Sequence, residues 1–333
     1  MGSRNRRLEP LHQRLGHATH GRRQTHSRRL QEYLARRRIT SANRQTQAAS
    51  PAVVITGAST GIGAACALAL DQLNFRVFAG VRKSADGEAL RARASARLTP
   101  IRIDVTDAES IAEAARAVGA DVGESGLSGL VNNAGIGVVG PLEIVPLADL
   151  RRQFDVNVFG AMAAIRALLP LLRHGRGRII NISSIAGRAC MPYMGPYAAS
   201  KHALEALSDA LRLEIQHTGV RVSVIEPGAV ATPIWTKSRN EIEGAARIWT
   251  TESKDLYLAG MFKVKEAATR AEQNAVPAAR VADAVVHALT STNPKTHYLV
   301  GKDAKIRALL SRFLPDRLQD RLLTAFLKLP AKK

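Results

Sequence analysis

From residue 51 onward, short runs of β-branched and apolar residues alternate with longer Ala- and Leu-rich stretches of helical period. Strand-like runs fall at 52–56, 76–79, 101–104, 129–132, 178–182, 221–226 and 297–300. Helical periodicity lies between them, notably at 63–73, 108–118, 147–172 and 197–217. Strands buried on both faces read as short apolar runs, and parallel neighbours need helical crossovers. The expected architecture is therefore α/β: a single-domain, doubly wound parallel sheet of about seven strands with helices on both faces. Residues 1–50 show little apolar periodicity and are expected to form a disordered arm. No window approaches the roughly 18 continuous apolar residues that a spanning helix needs.

Composition narrows the classes further. A chain of 333 residues that is 46% hydrophobic and 23% charged is not wholly disordered. Its two cysteines, Cys66 and Cys190, exclude a disulfide scaffold and fit a reducing compartment, so a cytoplasmic location is expected. The net charge of +20 would suggest nucleic acid or an anionic membrane if the fold carried it. The fold does not. Residues 1–50 hold 12 arginines against Glu9 and Glu32, residues 302–333 carry +6, and the 251 residues between them only +4. No specific nucleic-acid partner is expected, and the Arg-rich, acid-poor arm also fits an organelle-targeting segment. His12, His17, His20 and His26 lie in that arm without cysteine or carboxylate support, so no metal site is expected.

The first strand runs into Thr56-Gly57-Ala58-Ser59-Thr60-Gly61-Ile62-Gly63. Glycines at a strand-to-helix turn let a pyrophosphate approach the main chain, and the following helix N-terminus supplies N–H groups and a favourable dipole. Ser59 and Thr60 add hydroxyls to that loop.

The Gly-x-x-x-Gly-x-Gly spacing resembles the short-chain dehydrogenase/reductase family, and four further blocks follow in order. These are Asn132-Asn133-Ala134-Gly135; Asn157 in the long helix; Ser184 with Tyr197 and Lys201; and Pro227-Gly228 with Val230 and Thr232 beyond. The resemblance covers about residues 52–301 and implies a Rossmann-type catalytic domain with a nicotinamide dinucleotide cofactor. It implies cofactor contacts from Gly57 to Gly63, from Asn133, Ala134 and Gly135, from Tyr197 and Lys201, and from Pro227, Gly228, Val230 and Thr232. Asp104 with Val105 resembles the family's contact to the adenine amino group.

Nucleotide choice has a physical argument. An acid at the end of the second strand would accept from ribose hydroxyls and repel a 2′-phosphate. Here the strand runs into Arg82-Lys83, and Arg82 is placed for a charge-assisted bond to that phosphate. NADP(H) is favoured over NAD(H).

Tyr197 and Lys201 are four apart at the start of a helix and share a face. A free tyrosine has a pKa of about 10, so a base near neutrality needs a lowered one, which a nearby ammonium favours. The resemblance implies that Tyr197 transfers the proton and that Lys201 lowers its pKa and binds the nicotinamide ribose. It further implies that Ser184 hydrogen-bonds the reacting oxygen and that Asn157 holds a water beside Lys201. The thirteen-residue interval to Tyr197 selects Ser184 over Ser183. Cys66 reads as a core residue, whereas Cys190 falls in the loop between Ser184 and Tyr197 and is expected to line the substrate pocket. Glu214 and Glu226 read as surface or structural acids.

The segment 232–275 holds both tryptophans, Trp235 and Trp249, in a chain with 4% aromatics. It is expected to form a lid over a lipophilic pocket, with Trp235 on the substrate. Residues 129–226 resemble the branch containing retinol, hydroxysteroid and 3-hydroxybutyrate dehydrogenases. The expected activity is oxidation or reduction of a lipophilic alcohol or carbonyl. A short hydroxy acid with NAD(H), and a non-catalytic NADP(H)-sensing protein, stand as alternatives. Residues 305–328 form a basic amphipathic extension that could pack on its own domain, a dimer mate or an anionic membrane. A homodimer or homotetramer is expected.

Overall fold

A computed structural model describes residues 50–232, 249–327 and 329. The arm at 1–49 and the segment 233–248, Trp235 included, lie outside the described residues. In chain order the main elements are β1 (Ala52–Ile55), α1 (Gly61–Gln72), β2 (Arg76–Val81), α2 (Ser84–Arg91), β3 (Leu98–Arg102), α3 (Ala108–Val122) and β4 (Gly129–Asn132). Next come α4 (Leu147–Phe154), a π turn (Asp155–Phe159), α5 (Gly160–His174), β5 (Arg178–Ile182), α6 (Gly195–Ile215), β6 (Arg221–Pro227) and β7 (Val230–Ala231). The chain continues with α7 (Thr251–Gln273), β8 (Val276–Pro277), α8 (Ala278–Thr290), β9 (His297–Val300), α9 (Lys302–Phe313) and α10 (Asp316–Leu327).

Seven strands form one all-parallel sheet, as expected from the pattern, in the order β3-β2-β1-β4-β5-β6-β9. Its interior strands are continuous apolar runs, Ala-Val-Val-Ile in β1 being entirely buried. The order reverses at β1, which pairs with both β2 and β4: Val53 opposes Val77 on one side and Gly129 on the other. That reversal leaves a crevice at the carboxyl ends of the strands, where ligands of such sheets bind. α3 begins on a built cap, the Asp107 carboxylate accepting from the N–H groups of Glu109 and Ser110.

Two elements differ from the expectation. β3 lies at 98–102 rather than 101–104 because it is an edge strand, where Pro100 needs no ladder partner for its missing N–H. Asp104 then falls beyond the strand and accepts from the Thr106 N–H and hydroxyl at 3.0 and 2.7 Å. The helix expected at 147–172 is broken by the π turn around Asn157. Taken as one rod of 28 residues, 147–174 is long and apolar enough to cross a membrane. Its residues Ile165, Leu168 and Leu172 are nevertheless buried in the core beside Leu127, Leu130 and Ile179.

The expected lid contains a 23-residue helix, α7, capped by the Thr250 hydroxyl accepting from Ser253 N–H. The two-stranded β7–β8 pair anchors its flanks beside the end of β6. The C-terminal extension forms α9 and α10. Leu327 is buried with Val264 and Ala267 of α7, but Ile306, Leu309, Phe313 and Phe326 stay 58 to 67% exposed.

Candidate active site

The glycine loop is shaped by groups outside it. Gly57 and Gly61 take left-handed φ of 64° and 60°, which side chains disfavour. Gly63 is needed for closeness: a Cβ there would press on the Gly57 carbonyl and lie 2.5 Å from Asn133 Nδ2. Asn133 holds the loop by donating to the Thr56 and Gly57 carbonyls at 3.0 and 2.8 Å. The Thr56 hydroxyl accepts in return from the N–H groups of Asn133 and Ala134 at 3.0 and 3.1 Å. Thr56 was legible only as a strand end; its hydroxyl is the fastening that the sequence reading missed. Ala58 N–H reaches the Gly80 carbonyl at 2.8 Å, which ties the loop to the end of β2.

At the start of α1, Thr60 makes no side-chain cap bond and the first turn holds no acid. N–H groups with no internal carboxylate suit an anionic pyrophosphate, so the loop fits the dinucleotide. Ser59, Thr60 and Ile62 line the loop's outer side as half-buried or exposed residues. Arg82 and Lys83 are exposed beyond β2, and Arg82 is close enough to help lower the Asp104 pKa, after the two hydrogen bonds from Thr106. Val105 is buried in the core beneath them.

The expected catalytic residues Ser184, Tyr197 and Lys201 come together where β5 meets α6. Ser184 follows β5, accepts from Ala186 N–H at 3.1 Å and lies close enough to Tyr197 to help lower its pKa. Lys201 is buried, with Nζ donating to the Ile182 carbonyl at 2.8 Å and lying 5.8 Å from the Tyr197 ring centre. Burial penalises its ammonium and draws its pKa down to about 8, against the opposing field of Glu205. Burial also pushes the Tyr197 phenol above its ordinary value, outweighing the lowering influence of Ser184. The direction is opposite to the lowering expected from Lys201.

Asn157 lies in the π turn between α4 and α5. Its Oδ1 accepts from Ile136 N–H at 2.9 Å, and its Nδ2 donates to the Ile136 carbonyl and the Ser200 hydroxyl at 3.0 and 3.1 Å. Gln153, one turn earlier and fully buried, makes parallel bonds to Val138 N–H and the Ile136 carbonyl. Together they fasten the Gly135 loop to α6; no periodicity or motif marks Gln153.

Pro227 ends β6, and Gly228, Val230 and Thr232 follow it. Asp303 of α9 accepts from Ala229 N–H at 2.7 Å, and Gly228 N–H reaches the Val300 carbonyl. Cys190 is an exposed thiol near Met191, whereas Cys66 is fully buried and its pKa is pushed up to about 12. On the substrate side, Tyr193 and Met191 pack against Val264, Ala267 and Leu327, and the Tyr193 side chain sits against Gly260 of α7. Tyr257 of α7 hydrogen-bonds Glu143 across the same region.

Known proteins share this arrangement. The family model for short chain dehydrogenases matches residues 51–243. Human retinol dehydrogenase 5 is 39% identical over 297 residues, covering 87% of this chain and 93% of the relative. Human 17-beta-hydroxysteroid dehydrogenase type 6 is 38% identical over 291 residues, covering 84% and 90%. A Burkholderia cenocepacia short chain dehydrogenase solved with NADP superposes at a TM-score of 0.63, with 28% identity over 84% of this chain and 98% of that one. A Burkholderia phymatum short chain dehydrogenase/reductase solved with NAD gives 0.67, with 26% identity over 83% and 95%.

Proposed function

The chain belongs to the short-chain dehydrogenase family and is an alcohol/carbonyl oxidoreductase with a nicotinamide cofactor; on that premise we propose that it interconverts a lipophilic secondary or retinoid-type alcohol and its carbonyl, using NADP(H). The carrying observation is that Ser184 and Tyr197 come together beside buried Lys201, at the mouth of the crevice that the glycine loop opens. When bound, the dinucleotide supplies or takes up the hydride.

The chain's own residues do the rest. The first turn of α1 and the Gly57–Gly63 backbone hold the pyrophosphate, Arg82 pairs the 2′-phosphate, and Pro227 to Thr232 flank the nicotinamide. Ser184 orients the reacting oxygen. Tyr197, kept protonated at neutral pH by burial, hands its phenolic proton to a carbonyl oxygen during reduction and recovers it during alcohol oxidation. Lys201 stays close enough to stabilise the phenolate that results.

A lipophilic substrate is supported by the apolar packing of Met191, Tyr193, Val264 and Leu327 around the lid helix. It is supported also by the retinol and hydroxysteroid activities named for the two relatives. The bare apolar faces of α9 and α10 carry six basic against three acidic residues, which fits contact with an anionic bilayer. Co-sedimentation with anionic vesicles, lost in the Phe313→Glu, Phe326→Glu double variant, tests that contact against self-association.

The activity test follows nicotinamide absorbance with NADP(H) and NAD(H) against retinoids, steroids, long-chain ketones and 3-hydroxybutyrate. Turnover of lipophilic substrates with NADP(H) supports the proposal. Preference for the hydroxy acid with NAD(H) overturns the substrate and cofactor reading, and cofactor binding with no turnover anywhere overturns catalysis by this site.

A further inference from the structure

Behind the reaction centre, β6 carries Glu226, fully buried and directly before Pro227-Gly228. Charged side chains from three other elements converge on it. Arg188, just past the Ile185–Gly187 turn, donates from Nη2 to Glu226 Oε1 at 2.7 Å and pairs through Nε with Oε2. His297, the first residue of β9, places Nδ1 2.6 Å from Glu226 Oε1 and 3.3 Å from Glu205 Oε2. Its Nε2 lies 3.2 Å from Asp209 Oδ1, which also accepts from Arg212 at 3.0 Å.

Tyr197, Lys201, Glu205 and Asp209 succeed one another at four-residue spacing on α6, so the carboxylates continue the stripe that bears the reaction centre. The turn behind Ser184 rests directly on Glu205: a Cβ at Gly187 would lie 3.0 Å from both Glu205 Cγ and Oε1.

We propose that Arg188, Glu226, His297 and Glu205 form a positioning cluster that locks the Ser184 turn and the strand end before Pro227 onto the helix of Tyr197 and Lys201, with the His297 cation offsetting the Glu205 charge felt by Lys201. The proposal rests on the reading that Ser184, Tyr197 and Lys201 perform the chemistry.

Three carboxylates around the imidazole hold its pKa at about 10, so His297 is a cation at neutral pH. Glu205, Glu226 and His297 also have the spacing of three metal ligands. The imidazolium and the Arg188 guanidinium already supply the positive charge there, so the group is an ion network. Buried ion networks add little stability compared with well-packed apolar side chains, and what they contribute is a defined arrangement. Here the arrangement joins the serine turn, the tyrosine–lysine helix and the cofactor-side strand end.

The test compares His297→Gln with Glu205→Gln in the full chain by pH–rate profiles for alcohol oxidation. Tyr197 and Lys201 titrate as a coupled pair, so a change in background charge moves both proton losses the same way. Losing the His297 cation makes the site more negative, and the acid limb should move up by about 0.5–1 pH unit. Losing the Glu205 anion should move it down by a similar amount. His297→Arg should restore the wild-type limb. Arg188→Lys should raise the substrate KM several-fold with cofactor affinity unchanged, because it loosens only the turn behind Ser184.

Shifts of one sign in both glutamine variants, or wild-type profiles in folded variants, overturn the proposal. If His297→Gln does not fold, Glu205→Gln carries the decision alone: a downward limb supports the proposal and an unmoved or raised limb rejects it. Failure of the underlying activity is distinguishable, since the wild-type chain would then turn over no substrate.

Discussion

The two ends of the crevice are built by different means. At the nucleotide end, backbone is held by specific polar bonds: Thr56 and Asn133 lace the glycine loop, and Ala58 ties it to β2. At the substrate end, α7, the Met191–Tyr193 stretch and Leu327 meet through apolar contacts around Gly260. The first end presents a ligand common to a whole family, and polar geometry suits one fixed target. The second receives the variable half of the reaction, where non-directional packing can be reshaped without disturbing the first.

Tyr197, the proposed proton donor, lies between the two ends, and its removal should have the largest effect. Tyr197→Phe is expected to lower turnover about 10²–10⁴-fold while nucleotide binding, followed by fluorescence, stays intact. Loss of both together would mean that the ends are not separable.

A matched pair of glycine variants sharpens the contrast. Gly63→Val forces a side chain onto the Gly57 carbonyl and Asn133, and should cost about 1–3 kcal/mol of stability together with nucleotide affinity. Gly260→Ala meets the far end of the Tyr193 side chain, which can swing away. It should raise the substrate KM and leave nucleotide affinity and melting temperature nearly unchanged.

Within the nucleotide end, Arg82→Gln should raise the KM for NADP(H) about 10- to 100-fold, the worth of one bond to a charged group, and leave NAD(H) unaffected. Equal losses with both cofactors would remove Arg82 from the 2′-phosphate.

The smallest effect is in stability against pH. His297 has its pKa raised from 6.5 to about 10, so its contribution is complete below pH 6.5 and is lost as pH rises to about 10. Lys201, lowered from 10.5 to about 8, works the other way and relieves its burial penalty between pH 8 and 10.5. Thermal melts of the wild type should therefore decline from pH 6.5 to 8 and flatten above it, and His297→Gln should lack the first decline.

Much of this was legible before any coordinates. The β1 run, the glycine spacing, the Tyr197–Lys201 interval and the alternation of strand and helix each follow from local pattern, because short buried strands and tight turns restrict residue type position by position. What escaped was long-range. The cap on the loop comes from Thr56 and Asn133, 77 positions apart, and Gln153 is buried by a fold no window reveals. The edge position of β3 shifted its bounds because Pro100 is acceptable only there. Likewise the sign of the Tyr197 shift depends on enclosure by several elements, which pairwise spacing with Lys201 does not contain.

The lacing of the glycine loop by Asn133 has a kinetic consequence. Both donor contacts of that amide end on loop carbonyls of the chain itself. The loop is preorganised, its conformational entropy surrendered during folding rather than at the encounter with the nucleotide. Association should then proceed in a single phase, without a slow loop-closing step, and Asn133→Ala should introduce a second phase even where the final complex remains the same.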